Sequence, residues 1–105
     1  MLFRSYGHLA LYTIRQLHVS AFFHAPSALS LNFGLSEHVK ELAEVQRALI
    51  ASADQVIVLA DSSKFETCAA LKVCDLSPRF LYLTDNGLPE EIRDAWKKAS
   101  LDIIN

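Results

Sequence analysis

One polar segment of the sequence carries residue types suited to binding an anion. Asp61-Ser62-Ser63-Lys64-Phe65 follows directly after the β-branched run 55–60, and open α/β sheets bind ligands at the carboxyl ends of such strands. The serine hydroxyls can donate to phosphate oxygens and Lys64 supplies a positive charge. Asp61 can either orient the lysine or accept from a sugar hydroxyl. An ordinary polar turn is the alternative interpretation, because Asp and Ser are common turn residues.

Other chemistries find no matching pattern in the chain. Nucleotide-binding loops need glycines where the backbone approaches phosphate, and this chain has only three. The four histidines are scattered, Cys68 and Cys74 form no CxxC pair, and no serine lies in a GxSxG turn. The sequence therefore predicts no catalytic residues, no metal ligands and no cofactor.

The elements that position the polar segment are predicted from hydrophobic periodicity. Apolar stripes predict helices at about 6–17, with Ser5 as a cap, and at about 36–53, beginning at Ser36 and Glu37. Short apolar runs between turn residues predict strands. The predicted strands are 19–25, 55–60, an extended stretch around the two cysteines, 80–83 and 101–104, with a loop at 26–35 and a last helix from Pro89 to Lys98. This order predicts an α/β fold with a mainly parallel, doubly wound (Rossmann-like) sheet.

Length and composition limit the classes of protein. A chain of 105 residues forms one domain, and 51% hydrophobic residues describe a well-buried globular chain. The net charge of -2 and the lack of a basic cluster argue against direct nucleic-acid contact. The apolar stretch 9–14 is too short for a membrane span, so a cytoplasmic location is expected.

Several segments resemble the sensor domain of DeoR-type transcriptional repressors, from about Leu9 to the end of the chain. ADQVIVLADSSKF (53–65) is similar to the signature of that domain, and ELAEVQRALIASAD (41–54) resembles the helix before it. LHVSAFFHAPSALSLNFGLS (17–36) and LSPRFLYLTDNGLPEEI (76–92) resemble its flanking segments. The resemblance implies a fold like the second half of ribose-phosphate isomerase and a sugar-phosphate ligand.

The resemblance also implies which residues bind the ligand. Lys64, with Ser63, Ser62 and Asp61, would contact the phosphosugar, and Glu44 on the preceding helix is the next candidate. A solvent-facing Glu44 paired with Arg47 is the alternative interpretation.

The chain departs from the family pattern at four positions. It has Ala25, Ala28 and Glu66 where the family usually has glycine, and Gln46 where the family has a basic residue. Alanine restricts backbone approach to a ligand, and Glu66 would weaken phosphate binding if it faced the same cleft as Lys64.

The resemblance further implies that residues 1–105 are a partial effector-sensing domain, without the family's earlier strands and without its helix-turn-helix. The sheet would then be open at one edge, which favours a homo-oligomer. Two alternatives stay open, namely a sugar-phosphate isomerase-like enzyme fragment and a purely structural oligomerisation module.

Overall fold

The computed structural model describes residues 11–105, which form a parallel sheet, a smaller antiparallel sheet and, beside a short helical segment at 11–14, two longer helices. The strands are β1 (Val19–His24), β2 (Ala28–Ser30), β3 (Gly34–Glu37), β4 (Ala53–Leu59), β5 (Leu71–Cys74), β6 (Leu81–Leu83) and β7 (Ile103–Ile104). The helices are α1 (Lys40–Ser52) and α2 (Glu90–Lys98), with a 3-10 turn at Ser62–Lys64. Residues 11–14 are also helical. The helix predicted at 6–17 thus ends earlier than predicted, because residues 15 and 16 form a turn, and its residues 6–10 and the Ser5 cap lie outside the described residues.

The larger sheet is entirely parallel, in the order β1-β4-β6-β7. Its central strand β4 contains the β-branched run Val56-Ile57-Val58, whose stiff side chains suit a pleated surface. A helix connects β1 to β4 and another connects β6 to β7, so the predicted α/β fold with a mainly parallel sheet is confirmed. The strand predicted at 19–25 ends one residue earlier, as β1. The strand predicted at 101–104 begins two residues later, as β7.

The segment 26–37 was predicted wrongly. In place of a loop at 26–35 and a helix start at Ser36, it contains β2 and β3, which form an antiparallel sheet with β5. Ser36 is buried, where its hydroxyl accepts from the Ala69 amide at 2.9 Å and donates to the Ala28 carbonyl at 3.4 Å. Its polar side chain therefore serves the sheet and does not cap a helix.

Gly34 is the residue that starts β3. Its φ of 79° lies in the left-handed region, and a Cβ there would stand 2.2 Å from the Cys74 carbonyl oxygen. Only glycine avoids both the strain and the clash. The position therefore sets how closely β3 approaches β5.

Helix α1 begins later than predicted, at Lys40, with Val39 at its N-cap and no side-chain cap. Of the predicted apolar face, Ala43 is buried and Ile50 packs against the core, but Val39 and Leu42 are 45% and 43% exposed. Helix α2 follows Pro89 and places acids in its first turn and lysines in its last, as predicted and as the helix dipole favours.

The core lies between the parallel sheet, the helices and the small sheet. Trp96 of α2 and Tyr82 of β6 are fully buried, and their rings meet edge to face at 5.3 Å. Val56 and Val58 pack on the same side of the sheet. Burying each such side chain contributes roughly 1.5–3 kcal/mol. This burial holds α1 and α2 against the face of the sheet that carries Val56 and Val58.

No helix among the described residues is long and apolar enough to cross a membrane.

Candidate functional site

The candidate site lies where β4 and β6 end. Both strands run in the same direction, so their carboxyl ends meet at one edge of the sheet. The loop after β4 contains the predicted residues Asp61 to Lys64, and the loop after β6 contains Asp85 and Gly87. The structure therefore places two polar loops side by side.

Asp61 shapes the first of these loops. Its carboxylate Oδ1 accepts from the Ser63 amide at 2.9 Å and from the Ser63 hydroxyl, so it caps the 3-10 turn. The Lys64 amide donates to the Asp61 carbonyl at 3.0 Å. These bonds hold Asp61, Ser63 and Lys64 in one tight turn.

Asp85 joins the second loop to the first. Its carboxylate accepts from the Ser62 amide at 3.1 Å and from the Gly87 amide at 2.8 Å. These two backbone hydrogen bonds hold the pKa of Asp85 below its usual value. Asp85 was not among the predicted ligand residues. Its position shortly after the apolar run 80–83, a predicted strand of a mainly parallel sheet, was a usable signal.

Lys64 is exposed, and no ion pair within residues 11–105 involves its ammonium group. Its charge is therefore available to an anion, in a turn that also contains Asp61, Ser62 and Ser63 and is joined to Asp85. Such a set can bind a molecule that combines a phosphate with hydroxyl groups, because ammonium and hydroxyl donate to phosphate and carboxylate accepts from hydroxyl.

Glu44 lies apart from this group. It lines a cleft of about 450 Å³ between α1 and residues 11–15, together with Arg15 and Arg47. Arg47 donates to the carbonyls of Lys72 and Val73, at 2.7 and 3.0 Å, which ties α1 to β5. The structure thus brings Asp61, Ser62, Ser63 and Lys64 together and places Glu44 elsewhere.

A buried polar cluster, formed by His24, Ser27, Glu37 and Gln46, lies beside the end of β1. The Glu37 carboxylate accepts from the Ser27 hydroxyl at 2.6 Å and from the Gln46 amide at 2.9 Å. His24, Glu37 and Gln46 are each more than nine-tenths buried. Sequence reasoning missed this cluster, because it assigned Glu37 to a helix and His24 to a buried strand without a partner.

Burial and hydrogen bonds set the charge states of His24 and Glu37 in the buried cluster. Burial lowers the pKa of His24 to about 4, although the nearby Glu37 carboxylate favours the protonated form. Burial alone would raise the pKa of Glu37, but the hydrogen bonds from Ser27 and Gln46 hold it below its usual value. Near neutral pH the cluster therefore contains a neutral imidazole and a carboxylate.

Comparison with known proteins decides the family. Residues 4–86 match the model of the DeoR C-terminal sensor domain. The chain belongs to the DeoR C-terminal sensor domain family. It is 28% identical over 99 residues to a protein of Escherichia coli O157:H7 named as an aga operon transcriptional repressor, covering 94% of this chain and 37% of that protein. It is 27% identical over 88 residues to the L-fucose operon activator of Haemophilus influenzae, covering 84% of this chain and 35% of that protein. It is 32% identical over 96 residues to an E. coli K12 protein named as an sgc region transcriptional regulator, covering 91% of this chain and 37% of that protein.

The chain therefore spans just over a third of the length of the curated relatives that it matches. These relatives are transcriptional regulators, and the chain is an effector-sensing domain of the DeoR family.

The departures from the DeoR pattern have structural consequences. Glu66 has a φ of 59°, the left-handed conformation that the expected glycine would adopt without strain. Its carboxylate accepts from the Trp96 indole at 2.8 Å and the Leu31 amide at 3.1 Å. The charge of Glu66 is thus engaged by donors other than Lys64. Ala25 and Ala28 are not among the described residues with a positive φ, so neither needs glycine for its backbone conformation.

Proposed function

We propose that this DeoR sensor domain binds a sugar phosphate at the two loops that follow β4 and β6. The observation that carries the proposal is the ammonium group of Lys64, which forms no ion pair among the described residues and belongs to the turn that the Ser62–Asp85 bond joins to the loop after β6. Ligand binding at the carboxyl edge of a parallel sheet is the common arrangement in open α/β folds.

Each group in the proposed site has a different task. Lys64 contacts the phosphate, because the serine hydroxyls already interact with carboxylates. Asp61 and Asp85 accept from sugar hydroxyls. Asp61, Asp85 and Lys64 together carry a net negative charge, so a free phosphate ion binds weakly. Tight binding therefore also requires the hydrogen bonds of the sugar hydroxyls. Glu44 is not part of this proposed site, because it lines the cleft between α1 and residues 11–15.

We further propose that the domain is a sensor without catalytic activity. Isomerisation of a sugar phosphate needs a general base whose pKa lies near the working pH. The pKa of Asp85 is lowered by its two amide donors, which makes it a weak base. The named relatives are regulators, which supports the same conclusion.

DNA contact belongs, in this proposal, to parts of the relatives outside the matched third, since this chain carries a net charge of -2. Self-association is also proposed, because β1 pairs only with β4 among the described strands and leaves one edge open.

The test of effector binding is thermal unfolding of the chain with a panel of sugar phosphates, the parent sugars and inorganic phosphate. At a concentration 100 times its dissociation constant, the right ligand stabilises the fold by about 2.7 kcal/mol. Lys64→Ala should abolish the shift, while Lys97→Ala, which removes an exposed lysine of α2, should retain it. If no sugar phosphate raises the melting temperature, or if Lys64→Ala keeps the full shift, the proposed site is wrong.

A further inference from the structure

Glu66 lies at the end of the turn that contains Lys64, at a position where the DeoR pattern usually has glycine. Its φ of 59° is a conformation that glycine adopts freely and that is strained for a residue with a Cβ. Such strain persists where the surrounding structure fixes the conformation. We therefore ask which contacts of the Glu66 side chain fix it, and what they do for the neighbouring Lys64.

The Glu66 carboxylate contacts two other parts of the fold. Its Oε2 atom accepts from the Trp96 indole at 2.8 Å and from the Leu31 amide at 3.1 Å. The Glu66 amide donates to the Leu29 carbonyl at 2.6 Å. Hydrogen bonds to a charged acceptor are roughly twice as strong as those between neutral groups. Glu66 thus binds the end of the turn to α2 and to the segment between β2 and β3.

Helix α2 is connected to both loops of the candidate site. Phe65, which directly follows Lys64, packs against Trp96 with ring centroids 5.1 Å apart. The loop after β6, which contains Asp85, leads directly into α2, with Pro89 at the N-cap. Trp96 is itself fully buried, so its indole is a fixed donor. The bond between carboxylate and indole therefore joins the first loop to the helix that follows the second.

Lys64 is an alternative partner for the Glu66 carboxylate. The two residues are two positions apart, so their Cα atoms are separated by at most about 7.6 Å, and both residues are exposed. Opposite charges within such reach attract each other. A carboxylate paired with Lys64 would take the place of the ligand's phosphate. In the structure the carboxylate binds the indole and the Leu31 amide instead, and no ion pair within residues 11–105 joins it to Lys64.

We propose that Glu66 is a positioning residue that exchanges between two partners and thereby sets the affinity of Lys64 for a phosphate group. In the open state, its carboxylate binds the Trp96 indole and the Leu31 amide, and Lys64 is free. In the closed state, the carboxylate pairs with Lys64. A ligand that binds only the open state shifts the population toward it. Ligand binding and the bond from Glu66 to Trp96 therefore strengthen each other.

The inference rests on the proposed binding of a sugar phosphate at Lys64, and two substitutions separate it from a purely structural role of Glu66. Glu66→Gln keeps the length and an acceptor oxygen but has no charge to pair with Lys64. Glu66→Asp keeps the charge, but its side chain is one methylene shorter and does not reach the indole. The exchange predicts opposite effects of the two variants on Lys64. A residue that only held the turn would give effects in the same direction, because both variants weaken its hydrogen bonds.

The first measurement needs no ligand. Acetic anhydride acetylates free lysine side chains, and peptide mass spectrometry gives the acetylation rate of Lys64, with the exposed Lys40 of α1 as internal control. Glu66→Asp should lower the Lys64 rate about threefold or more, as expected when the open fraction falls to a third. Glu66→Gln should equal or exceed the wild-type rate. A rate that falls in both variants, or in neither, would overturn the proposal.

The second measurement is calorimetric titration of the chain with ribose 5-phosphate, glucose 6-phosphate and inorganic phosphate. For a probe that binds the wild type, the apparent dissociation constant should rise about threefold or more in Glu66→Asp, and it should not rise in Glu66→Gln. If none of the probes binds the wild type, these compounds are not effectors, and the acetylation rates still decide whether Glu66 exchanges partners. The two failures are therefore distinguishable.

Removal of the indole donor tests the other partner. Trp96→Phe should slow the acetylation of Lys64 as Glu66→Asp does, and adding Glu66→Gln to Trp96→Phe should restore the rate, because no carboxylate is then left to pair with Lys64. A double variant as slow as Trp96→Phe alone would assign Trp96 a structural role and overturn the exchange. Circular dichroism shows which variants are folded. If Trp96→Phe is not folded, the opposite effects of the two Glu66 variants alone decide the result.

Discussion

Two polar regions lie near the carboxyl ends of the parallel strands, and they differ in burial. In the buried cluster of His24, Ser27, Glu37 and Gln46, hydrogen bonds from Ser27 and Gln46 satisfy the Glu37 carboxylate, whereas His24 Nε2 and Gln46 Oε1 have no partner among the described residues. The loops after β4 and β6 are exposed and leave the Lys64 ammonium group available. The buried carboxylate is therefore occupied by donors of the protein itself, whereas the exposed loops are where we propose that the ligand binds.

This comparison predicts that changes in the buried region alter stability, whereas changes in the exposed loops alter ligand binding. Gly34, on the same strand as the buried Glu37, and Gly87, in the loop after β6, provide the largest contrast in stability. Gly34→Ala should lower the free energy of unfolding by about 3 kcal/mol or more, because alanine there is strained and meets the Cys74 backbone. Gly87→Ala should cost less, since its new methyl group would meet the side chains of Ser62 and Asp85, which can move. Urea denaturation measures both, and equal losses would contradict the comparison.

Acid should destabilise the fold through His24. Its pKa is about 4 in the folded chain and 6.5 ordinarily, so the unfolded chain binds a proton that the folded chain does not. Stability should be complete above about pH 6.5 and fall as the pH decreases toward 4, by at most roughly 3 kcal/mol. Glu37 has a lowered pKa and contributes a further loss only below its ordinary value of 4.5.

Urea unfolding midpoints measured between pH 7 and pH 5 report the titration of His24 separately from that of Glu37, which titrates below this interval. The loss of stability in this interval should disappear in His24→Leu and remain in His38→Gln, which changes an exposed histidine. A His24→Leu variant with the wild-type pH dependence would show that another group titrates.

Glu37→Ala should cost about 2 kcal/mol. It removes the acceptor of the Ser27 hydroxyl and the Gln46 amide, and a buried donor without a partner costs roughly 1–3 kcal/mol. Glu90→Ala, in the exposed first turn of α2, should change stability by less than about 0.5 kcal/mol. Chemical denaturation of the two variants at pH 7 compares them, and an unchanged Glu37→Ala would mean that the cluster contributes nothing.

Lys64→Ala should have the smallest effect on stability, less than about 0.5 kcal/mol without ligand, because the side chain is exposed and forms no ion pair within residues 11–105. Thermal unfolding of the unliganded variant measures it. A large loss would assign Lys64 a structural role and remove the contrast between the two regions.

The sequence alone determined the elements with strong local signals. The β-branched run of β4, the polar turn after it and the charge pattern of α2 are each encoded by neighbouring residues, and the structure contains all three. The polar turn and the family both followed from residues 53–65, because the signature is continuous in the chain.

Only the tertiary structure decided which distant residues meet. Ser36 and Glu37 resemble a helix start locally, but pairing with β2 and β5 makes them a strand, since tertiary hydrogen bonds outweigh weak local preference. Asp85 joins Ser62 across 23 positions, and Glu66 reaches Trp96 across 30. Such contacts depend on the direction and order of the strands, which local periodicity does not encode.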